Sequence, residues 1–426
     1  MPPSERTPLV GGNGNNRQSG DGLPMHRPES YPNARQHGDH HGPSFVGSLW
    51  WLVSCSWLNV LLVFVPLGIA AEFLHWPAVW IFVLNFMAII PLAKLLGDAT
   101  EQASLKLGQT LGGLLNATFG NAVELIVGIV ALVQGQLRIV QTSLIGSILS
   151  NILLVLGMSF VAGGLFRAEN SFQQTAAQAS GSIMTLGCIT IAIPAAYQMS
   201  QKMSQMFDGG EAALAAYRDS KDTEAGLLFI SRGTSLILVA IYILYLFFQL
   251  KTHAFLYEAD EEDDEEEEEL KMTPYAAMLG LAVVTVVTGF NADYLVSAID
   301  EVANDYKIPK AFIGVILLPI VGNMAEHLTS VWMAAKGKME ISIGIAVGSS
   351  IQISVGMIPI LVLVGWAIGQ PLTLFFQSFE TVVLVAAVLL VNTLIQDGKS
   401  NYMEGAMLCS LYLVAALSFW VEPEQS

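Results

Sequence analysis

The chain contains few charged residues and very few basic ones. Only 13% of its 426 residues are charged, and 19 of them are Lys or Arg, whereas about 25% is usual in soluble domains. The sequence has no cluster of Lys and Arg that would neutralise the phosphates of a nucleic acid. The composition therefore argues against a nucleic-acid-binding protein and against a soluble globular one.

Cysteines and catalytic motifs are also scarce. Cys55, Cys188 and Cys409 lie far apart in apolar runs, whereas a disulfide framework or a zinc site needs closer spacing or a polar setting. The sequence has no phosphate-binding loop, no nucleotide motif and no Ser/His/Asp arrangement on its polar segments. We therefore expect neither an enzyme nor a resident cofactor, and the lack of an ATP-binding domain argues against a primary pump.

What the chain has in abundance is apolar sequence, which makes up 53% of its residues. A membrane-spanning helix needs about 20 mostly apolar residues, and eleven segments meet this requirement. They cover residues 46–66, 76–96, 107–133, 139–166, 174–197, 227–250, 274–291, 309–335, 340–366, 373–395 and 403–421. The predicted fold class is therefore an all-α polytopic membrane protein with about eleven transmembrane helices, surrounded by lipid.

One stretch of the chain occurs twice within these segments. Gly-Asn-Ala-Val-Glu at 120–124 recurs as Gly-Asn-Met-Ala-Glu at 322–326, and a Gly-Ser pair follows each copy at 146–147 and 348–349. A shift of 202 residues superposes the two windows without a gap and gives nine identities between residues 112 and 147. A carboxylate inside a membrane span is costly and usually functional. The repetition indicates a symmetric transporter that holds an ion between its halves.

The distribution of Lys and Arg predicts how the spans are oriented. With a cytosolic N-terminus, twelve basic residues fall on the cytosolic side and seven on the opposite side, as the positive-inside rule requires. The C-terminus is then non-cytosolic. Because five spans separate the two motifs, the motif helices cross the membrane in opposite senses, so the repeat is inverted.

The domain organisation follows from the repeat. Residues 1–44, with seven Pro and seven Gly, are predicted to form a disordered cytosolic tail. The remaining units are an extra N-terminal transmembrane helix at 45–66, a first repeat at 76–250, a cytosolic acidic segment at 251–272 and a second repeat at 273–421.

The two motifs carry hard oxygen donors. Asn and Glu three residues apart lie on one helix face, and the preceding glycines weaken the helix so that freed carbonyls can add ligands. Ca²⁺ takes six to eight oxygens of this kind, and the absence of a Cys or His pair argues against zinc or copper. The predicted ion-binding residues, with Glu124 and Glu326 as the metal-binding carboxylates, are Gly120, Asn121, Glu124, Ser147, Ser150, Gly322, Asn323, Glu326, Ser349 and Gln352.

Charge balance predicts what competes for this site. Two ionised carboxylates in a medium of low dielectric repel each other and are poorly solvated, so Glu124 and Glu326 need about two positive charges. One Ca²⁺ supplies them, and so do two protons, which is the physical basis of cation/proton exchange. His327 follows Glu326 and has no counterpart, because Leu125 occupies the matching position. It is either a proton relay in the coupling or a hydrogen-bonded interior histidine.

The motifs at 120–125, 322–327, 146–151 and 348–353 resemble those of the cation/proton exchanger family of fungal and plant vacuoles, within the cation/calcium exchanger superfamily. The likeness covers nearly the whole chain after residue 45. It implies Ca²⁺ uptake into the vacuole driven by the proton gradient, with Mn²⁺ as a second candidate substrate. It also implies ion coordination by Glu124 and Glu326, with Asn121, Asn323, Ser349 and Gln352 nearby. In a vacuolar membrane, the orientation predicted from Lys and Arg places the C-terminus in the lumen.

A block of acids lies between the sixth and seventh spans. Eleven of its twelve positions are acidic: Glu258, Asp260, Glu261, Glu262, Asp263, Asp264, Glu265, Glu266, Glu267, Glu268 and Glu269. Blocks of like charge are commonly solvated linkers. At the cytosolic joint between the halves, however, such a block raises the local cation concentration, so we expect a cation-collecting or regulatory element that itself binds Ca²⁺.

Two other functions stay open at this stage. A sodium-coupled calcium exchanger would use the same carboxylates, because their spacing does not distinguish H⁺ from Na⁺. A passive cation channel also uses acids, although one acid per inverted half suits alternating access better than a multimeric pore.

Overall fold

The computed structural model describes residues 44–207, 212–256 and 270–422, which are almost entirely helical. The helices of the first half are α1 (Phe45–Ser54), α2 (Phe64–Phe73), α3 (Ala78–Ser104), α4 (Gly108–Phe119), α5 (Ala122–Val133), α6 (Leu137–Leu149), α7 (Leu156–Phe166), α8 (Gln174–Phe207) and α9 (Ala212–Phe247). Those of the second half are α10 (Pro274–Tyr306), α11 (Lys310–Phe312), α12 (Leu318–Gly322), α13 (Met324–Lys336), α14 (Met339–Ile351), α15 (Ile358–Ile368), α16 (Ser378–Leu394) and α17 (Tyr402–Val421).

Short irregular elements connect these helices. Two 3₁₀ turns cover Trp57–Val63 and Ala254–Leu256, and π-helical turns cover Ser150–Val155, Phe248–Thr252, Ile313–Leu317 and Gln352–Met357. Two strands, β1 (Asn170–Ser171) and β2 (Lys399–Ser400), pair antiparallel.

The predicted polytopic helical fold is confirmed. Among the described residues, seven helices are long and apolar enough to span a membrane, and three pairs of bent helices raise the number to ten. The apolar helix α16 has 17 residues and corresponds to the predicted segment 373–395. Each of the eleven predicted segments therefore contains a helix or a bent pair.

The first predicted span, 46–66, differs from a single helix. It is divided into α1 and a second stretch at Trp57–Phe73, which are bent by 91°. The break follows from local polar groups: the Asn59 amide donates to the Leu52 and Val53 carbonyls, and Ser56 accepts from the Leu58 N–H. These bonds satisfy backbone groups that are left free where a helix ends, so the chain turns there.

The repeat is visible in the backbone. The π-helical turns at Ser150–Val155 and Gln352–Met357 are separated by the same 202 residues as the sequence motifs. The motif helices are bent as well, by 49° between α4 and α5 and by 58° between the 310–322 segment and α13. Turns of π-helix inside α-helices frequently occur at functional sites, and here they lie in both halves.

Contacts between loops show that the two motif helices run in opposite directions. On one face, which we call the Arg138 face, the loop after α5 meets the end of α10: Gln136 donates to Asp300, and Lys310 pairs with Asp300. On the other, the Arg167 face, the loop after α13 meets the loop after α7, since Arg167 donates to the Lys336 carbonyl, and β1 pairs with β2. Helix α5 thus ends at the Arg138 face and α13 at the Arg167 face.

A buried ion pair links the two halves at the Arg138 face. Arg138, at the start of α6, donates to both carboxylate oxygens of Glu380 in the first turn of α16. The Glu380 side chain is fully buried, whereas Arg138 is 29% exposed. Glu380 also accepts from the Gln377 N–H in a capping box. The pair therefore fixes the end of one half against the other.

Breaking this pair is expected to destabilise the protein. Arg138→Met leaves a buried carboxylate without its cation, which costs about 3–5 kcal/mol, so the midpoint of thermal unfolding in detergent should fall clearly. The control is the double variant Arg138→Met with Glu380→Met, in which no unpaired charge remains and most of the stability should return. Equal losses in the single and double variants would show that the pair holds nothing in place.

Candidate ion-binding site

The backbone breaks at both motifs, and each break places a carboxylate in the first turn of a helix. Helix α4 ends at Phe119 and α5 begins at Ala122, with Asn121 at φ −112° and ψ 35° between them. In the second copy, Asn323 separates α12 from α13. Glu124 and Glu326 therefore lie near the free N–H groups of α5 and α13, where negative charge is stabilised.

The two breaks face a common cavity of about 460 Å³. Seven of the predicted site residues line it: Gly120, Asn121, Glu124, Gly322, Glu326, Ser349 and Gln352. The Glu124 carboxylate also lies against the second motif, because a Cβ atom on Gly322 would be 3.1 Å from its Oε1 atom. The cavity extends toward the Arg167 face, where Phe172, Gln173 and Glu340 line it.

Several oxygens at the site are buried without a hydrogen-bond partner. Glu124 is only 8% exposed, and its Oε1 atom has no hydrogen-bond partner within the described part of the chain; the same holds for Glu326 Oε2 and Asn323 Oδ1. Buried polar atoms are nearly always hydrogen-bonded. Unpartnered carboxylate oxygens at the wall of a cavity are therefore suited to bind a cation or protons.

A network of amides connects the first motif to the second Gly-Ser segment. Asn121 Nδ2 donates to Gln352 Oε1 at 2.5 Å, and Asn121 Oδ1 accepts from the Ser349 hydroxyl at 2.5 Å. Ser349 in turn accepts from Asn151 Nδ2 at 2.9 Å. The network orients the oxygens of Asn121, Ser349 and Gln352 beside Glu124, and each carbonyl oxygen keeps a second lone pair.

The second motif makes a different set of contacts. Asn323 is fully buried and donates to the Ser147 carbonyl at 3.2 Å, and it is not among the residues that line the large cavity. Ser147 lines a second cavity of about 20 Å³ toward the Arg138 face, which Glu124 and Gly322 also line. Glu124 thus lies between the two cavities.

Two other predicted residues lie outside both cavities. His327 is buried and contacts the Asn323 carbonyl through Nδ1 at 2.7 Å, whereas its Nε2 atom has no partner. Ser150 is fully buried, and its hydroxyl has no hydrogen-bond partner among the described residues. The acidic residues from Glu258 to Glu269 lie outside the described residues.

The structure adds cavity residues that the motifs did not indicate. Glu340, Gln173 and Gln249 line the large cavity, although they lie outside the repeated motifs. The repeat could have drawn attention to Glu340. The 202-residue shift pairs it with Arg138, so the two copies have charges of opposite sign at this position.

The donor set fits a hard cation. Within the described ranges, no three His, Cys, Asp or Glu side chains form a metal cluster. The site offers two carboxylates with amide, hydroxyl and backbone oxygens, which suits Ca²⁺ better than zinc or copper. No Lys, Arg or His is among the described residues that line the large cavity.

Comparison with known proteins decides the family. The sequence model described as "Sodium/calcium exchanger protein" matches residues 77–251 and 276–421. The chain belongs to this family. The resemblance inferred from the motifs is thereby confirmed.

Individual members of the exchanger family are similar over most of their length. The vacuolar calcium ion transporter of Schizosaccharomyces pombe is 46% identical over 383 residues, which is 89% of this chain and 88% of that protein. Vacuolar cation/proton exchanger 2 of Arabidopsis thaliana is 38% identical over 94% of this chain and 87% of its own. The crystal structure of the Ca²⁺/H⁺ antiporter protein YfkE superposes with a TM-score of 0.67 at 33% identity, covering 88% of this chain and 99% of that one.

Proposed function

We propose that this protein is a secondary active antiporter that moves Ca²⁺ out of the cytosol into the vacuole in exchange for protons. The observation that carries the proposal is the meeting of Glu124 and Glu326, from inverted copies of one motif, at a single cavity with no basic lining among the described residues. The names of the relatives support the choice of ions, since they include a vacuolar calcium transporter and a Ca²⁺/H⁺ antiporter.

Competition for the two carboxylates couples the ions. Glu124 and Glu326 line the same cavity, so the ionised pair needs compensating positive charge. One Ca²⁺ with oxygens from Asn121, Ser349 and Gln352 supplies two charges, and two protons supply the same. The site does not bind one Ca²⁺ and two protons at the same time. Binding of protons therefore releases Ca²⁺, and binding of Ca²⁺ releases protons. His327 is proposed as an additional proton relay, and Mn²⁺ as a second substrate.

The two halves pack unequally around their matching glycines, and this difference is the basis that we propose for alternating access. At the Arg138 side, a Cβ atom on Gly146 would meet the Val315 carbonyl and lie 2.6 Å from Pro319 Cγ, and one on Gly314 would meet the Thr142 hydroxyl. The repeat counterpart of Gly146 is Gly348, where a Cβ atom would meet no atom of the described residues within 4 Å. The protein is therefore closed at Gly146 on the Arg138 side. It is open at the matching position, Gly348, beside the large cavity.

In the opposite state of the transporter, the cavity is open toward the Arg138 face and closed toward the Arg167 face. Each repeat then makes the contacts that the other repeat makes in this structure. Gly348 would pack against Gly113 and Ala117, which are the counterparts of Val315 and Pro319 at a shift of 202 residues, while Gly146 separates from its neighbours. With the Arg167 face in the cytosol, as the Lys and Arg distribution predicts, the structure is open to the cytosol. The C-terminus is then lumenal.

The test of this function is calcium-45 uptake into reconstituted liposomes that are acidic inside. Uptake should require the proton gradient and collapse when a protonophore is added. Uptake that ignores the proton gradient but follows an imposed Na⁺ gradient would favour the sodium-coupled exchanger. Uptake that follows only the calcium gradient would favour a channel.

The acidic residues from Glu258 to Glu269 are proposed to collect cations or regulate transport at the cytosolic joint between the halves, and not to couple the ions. Replacing all eleven acids with their amides should raise the Ca²⁺ concentration needed for half-maximal uptake and leave the maximal rate intact, because only the local cation concentration changes. Uptake at graded Ca²⁺ measures both quantities. A folded variant without any uptake would assign the block a coupling role.

A further inference from the structure

The second cavity has the same lining as the large cavity, taken from the other repeat. Of the eleven described residues that line it, nine become lining residues of the large cavity when they are shifted by 202 positions. The two exceptions are Ile89 and Pro319. Equivalent surfaces of the two repeats thus enclose about 460 Å³ on one side of Glu124 and about 20 Å³ on the other. The second cavity is therefore the counterpart of the large cavity in its closed form.

The two linings differ in chemistry one helical turn beyond each glutamate. Thr329 follows Glu326 by three residues, so both lie on one face of α13, and Thr329 is exposed at the large cavity. Its counterpart Val127 follows Glu124 by three residues on α5, is buried and lines the second cavity. Since α5 and α13 run in opposite directions, the first side chain beyond the carboxylate is polar toward one face of the protein and apolar toward the other.

The helices before the two breaks show the same difference. Asn116 of α4 is exposed and lines the large cavity, whereas its counterpart Leu318 of α12 is buried and lines the second cavity. Ser143 is the reverse case, because its counterpart at the large cavity is Ile345, but its hydroxyl donates to the Val140 carbonyl at 3.1 Å. Oxygen-bearing side chains replace part of the hydration shell of a cation, and apolar side chains do not.

We propose that the second cavity is the closed release path for Ca²⁺, and that Val127 and Leu318 give this path a weaker affinity for the cation than the large cavity has. When the path opens, a cation at the two glutamates loses the hydroxyl and the amide that the large cavity offers, so its release into water is favoured. The inference rests on the proposed exchange function. It makes binding stronger at the face where the large cavity opens and weaker at the opposite face.

The first readout is access to the second cavity. Ser143→Cys, in a chain with its three native cysteines replaced by alanine, is treated in detergent with a hydrophilic thiol reagent. Labelling should be on the order of 10-fold faster with Gly146→Ala, which disfavours the present state, than with Gly348→Ala, which disfavours the opposite state. Ile345→Cys, the counterpart at the large cavity, is the matched control and should show the reverse preference. Labelling of Ser143→Cys that does not differ between the two backgrounds would overturn the assignment of the path.

The second readout is the affinity for Ca²⁺ alone, measured by isothermal titration in detergent. In the Gly146→Ala background, Val127→Thr should lower Kd by about 3- to 10-fold, as one added oxygen contact does, and it should leave Kd unchanged in the Gly348→Ala background. Thr329→Val should raise Kd by a similar factor in the Gly348→Ala background only. Val130→Thr makes the same substitution on α5 outside both cavities, and it should leave Kd unchanged in both backgrounds.

The pattern across the two backgrounds decides the inference. Equal changes of Kd in both, or no change in either, would show that the two paths do not differ as proposed. A hydroxyl at position 127 also disturbs buried packing, but Thr329→Val changes an exposed side chain, so it tests the difference even if Val127→Thr unfolds. Neither readout needs a proton gradient, so both stay valid if uptake follows Na⁺, a result that would refute only the proposed function.

Discussion

Glu124→Gln and Glu326→Gln are each expected to reduce calcium-45 uptake in proton-loaded liposomes to the level of liposomes without protein. Each substitution keeps the shape of the side chain but removes one negative charge and one exchangeable proton. Both residues line the same cavity, and each has a buried carboxylate oxygen without a partner. With a single carboxylate left, the site cannot neutralise the charge of a divalent cation and cannot bind two protons.

The control for this pair is Glu301→Gln, which changes an exposed acid of α10 that lies outside both cavities. It should transport as the wild type does. Binding measured in detergent adds a second readout, because the two site variants should also lose Ca²⁺-dependent protection against thermal unfolding. Wild-type uptake in either site variant would remove the basis of the proposed coupling.

Gly348→Ala is expected to slow transport while leaving Ca²⁺ binding intact. A Cβ atom at Gly348 has nothing within 4 Å in the structure, so this state accepts alanine. In the opposite state, the repeat gives Gly348 the packed environment that Gly146 now has, against Gly113 and Ala117. Overpacking there costs about 1–3 kcal/mol, which shifts the equilibrium between the states on the order of 5- to 150-fold.

Gly146→Ala provides the reciprocal experiment, because its Cβ atom would collide with the Val315 carbonyl in the present state. It should disfavour the state that is open to the Arg167 face, and so weaken binding from that side. Gly289→Ala is the neutral control, since a Cβ atom there also meets nothing within 4 Å and Gly289 lines neither cavity. Normal turnover in Gly348→Ala would contradict the exchange of contacts between the repeats.

The sequence predicts the spans and the repeat well, because both depend on patterns along the chain. Apolar length sets where a helix crosses, and a constant shift of 202 residues relates both the motifs and the π-helical turns at Ser150–Val155 and Gln352–Met357. The bend in the first span depends on hydrogen bonds made by Asn59. Such bonds leave no periodic signal in the sequence.

The candidate site was harder to predict than the fold. The expectation that Asn323 and Glu326 share a helix face assumes an unbroken helix, but Asn323 lies at the break before α13. Its side chain donates to the Ser147 carbonyl and does not line the large cavity, whereas Asn121, at the matching break, lines that cavity. Spacing also did not reveal that Ser150 is fully buried and lines neither cavity, because its position depends on how distant helices pack.

The central claim, that Ca²⁺ and protons compete for Glu124 and Glu326, is tested most directly by proton movement driven by calcium alone. Liposomes that contain the protein and a trapped pH dye are given external Ca²⁺, with no imposed pH gradient and with the membrane potential clamped by valinomycin and K⁺. If Ca²⁺ and protons compete for the pair, the interior becomes alkaline as calcium-45 enters, and neither change occurs with Glu124→Gln or Glu326→Gln. Entry of calcium-45 without any change in internal pH would contradict it.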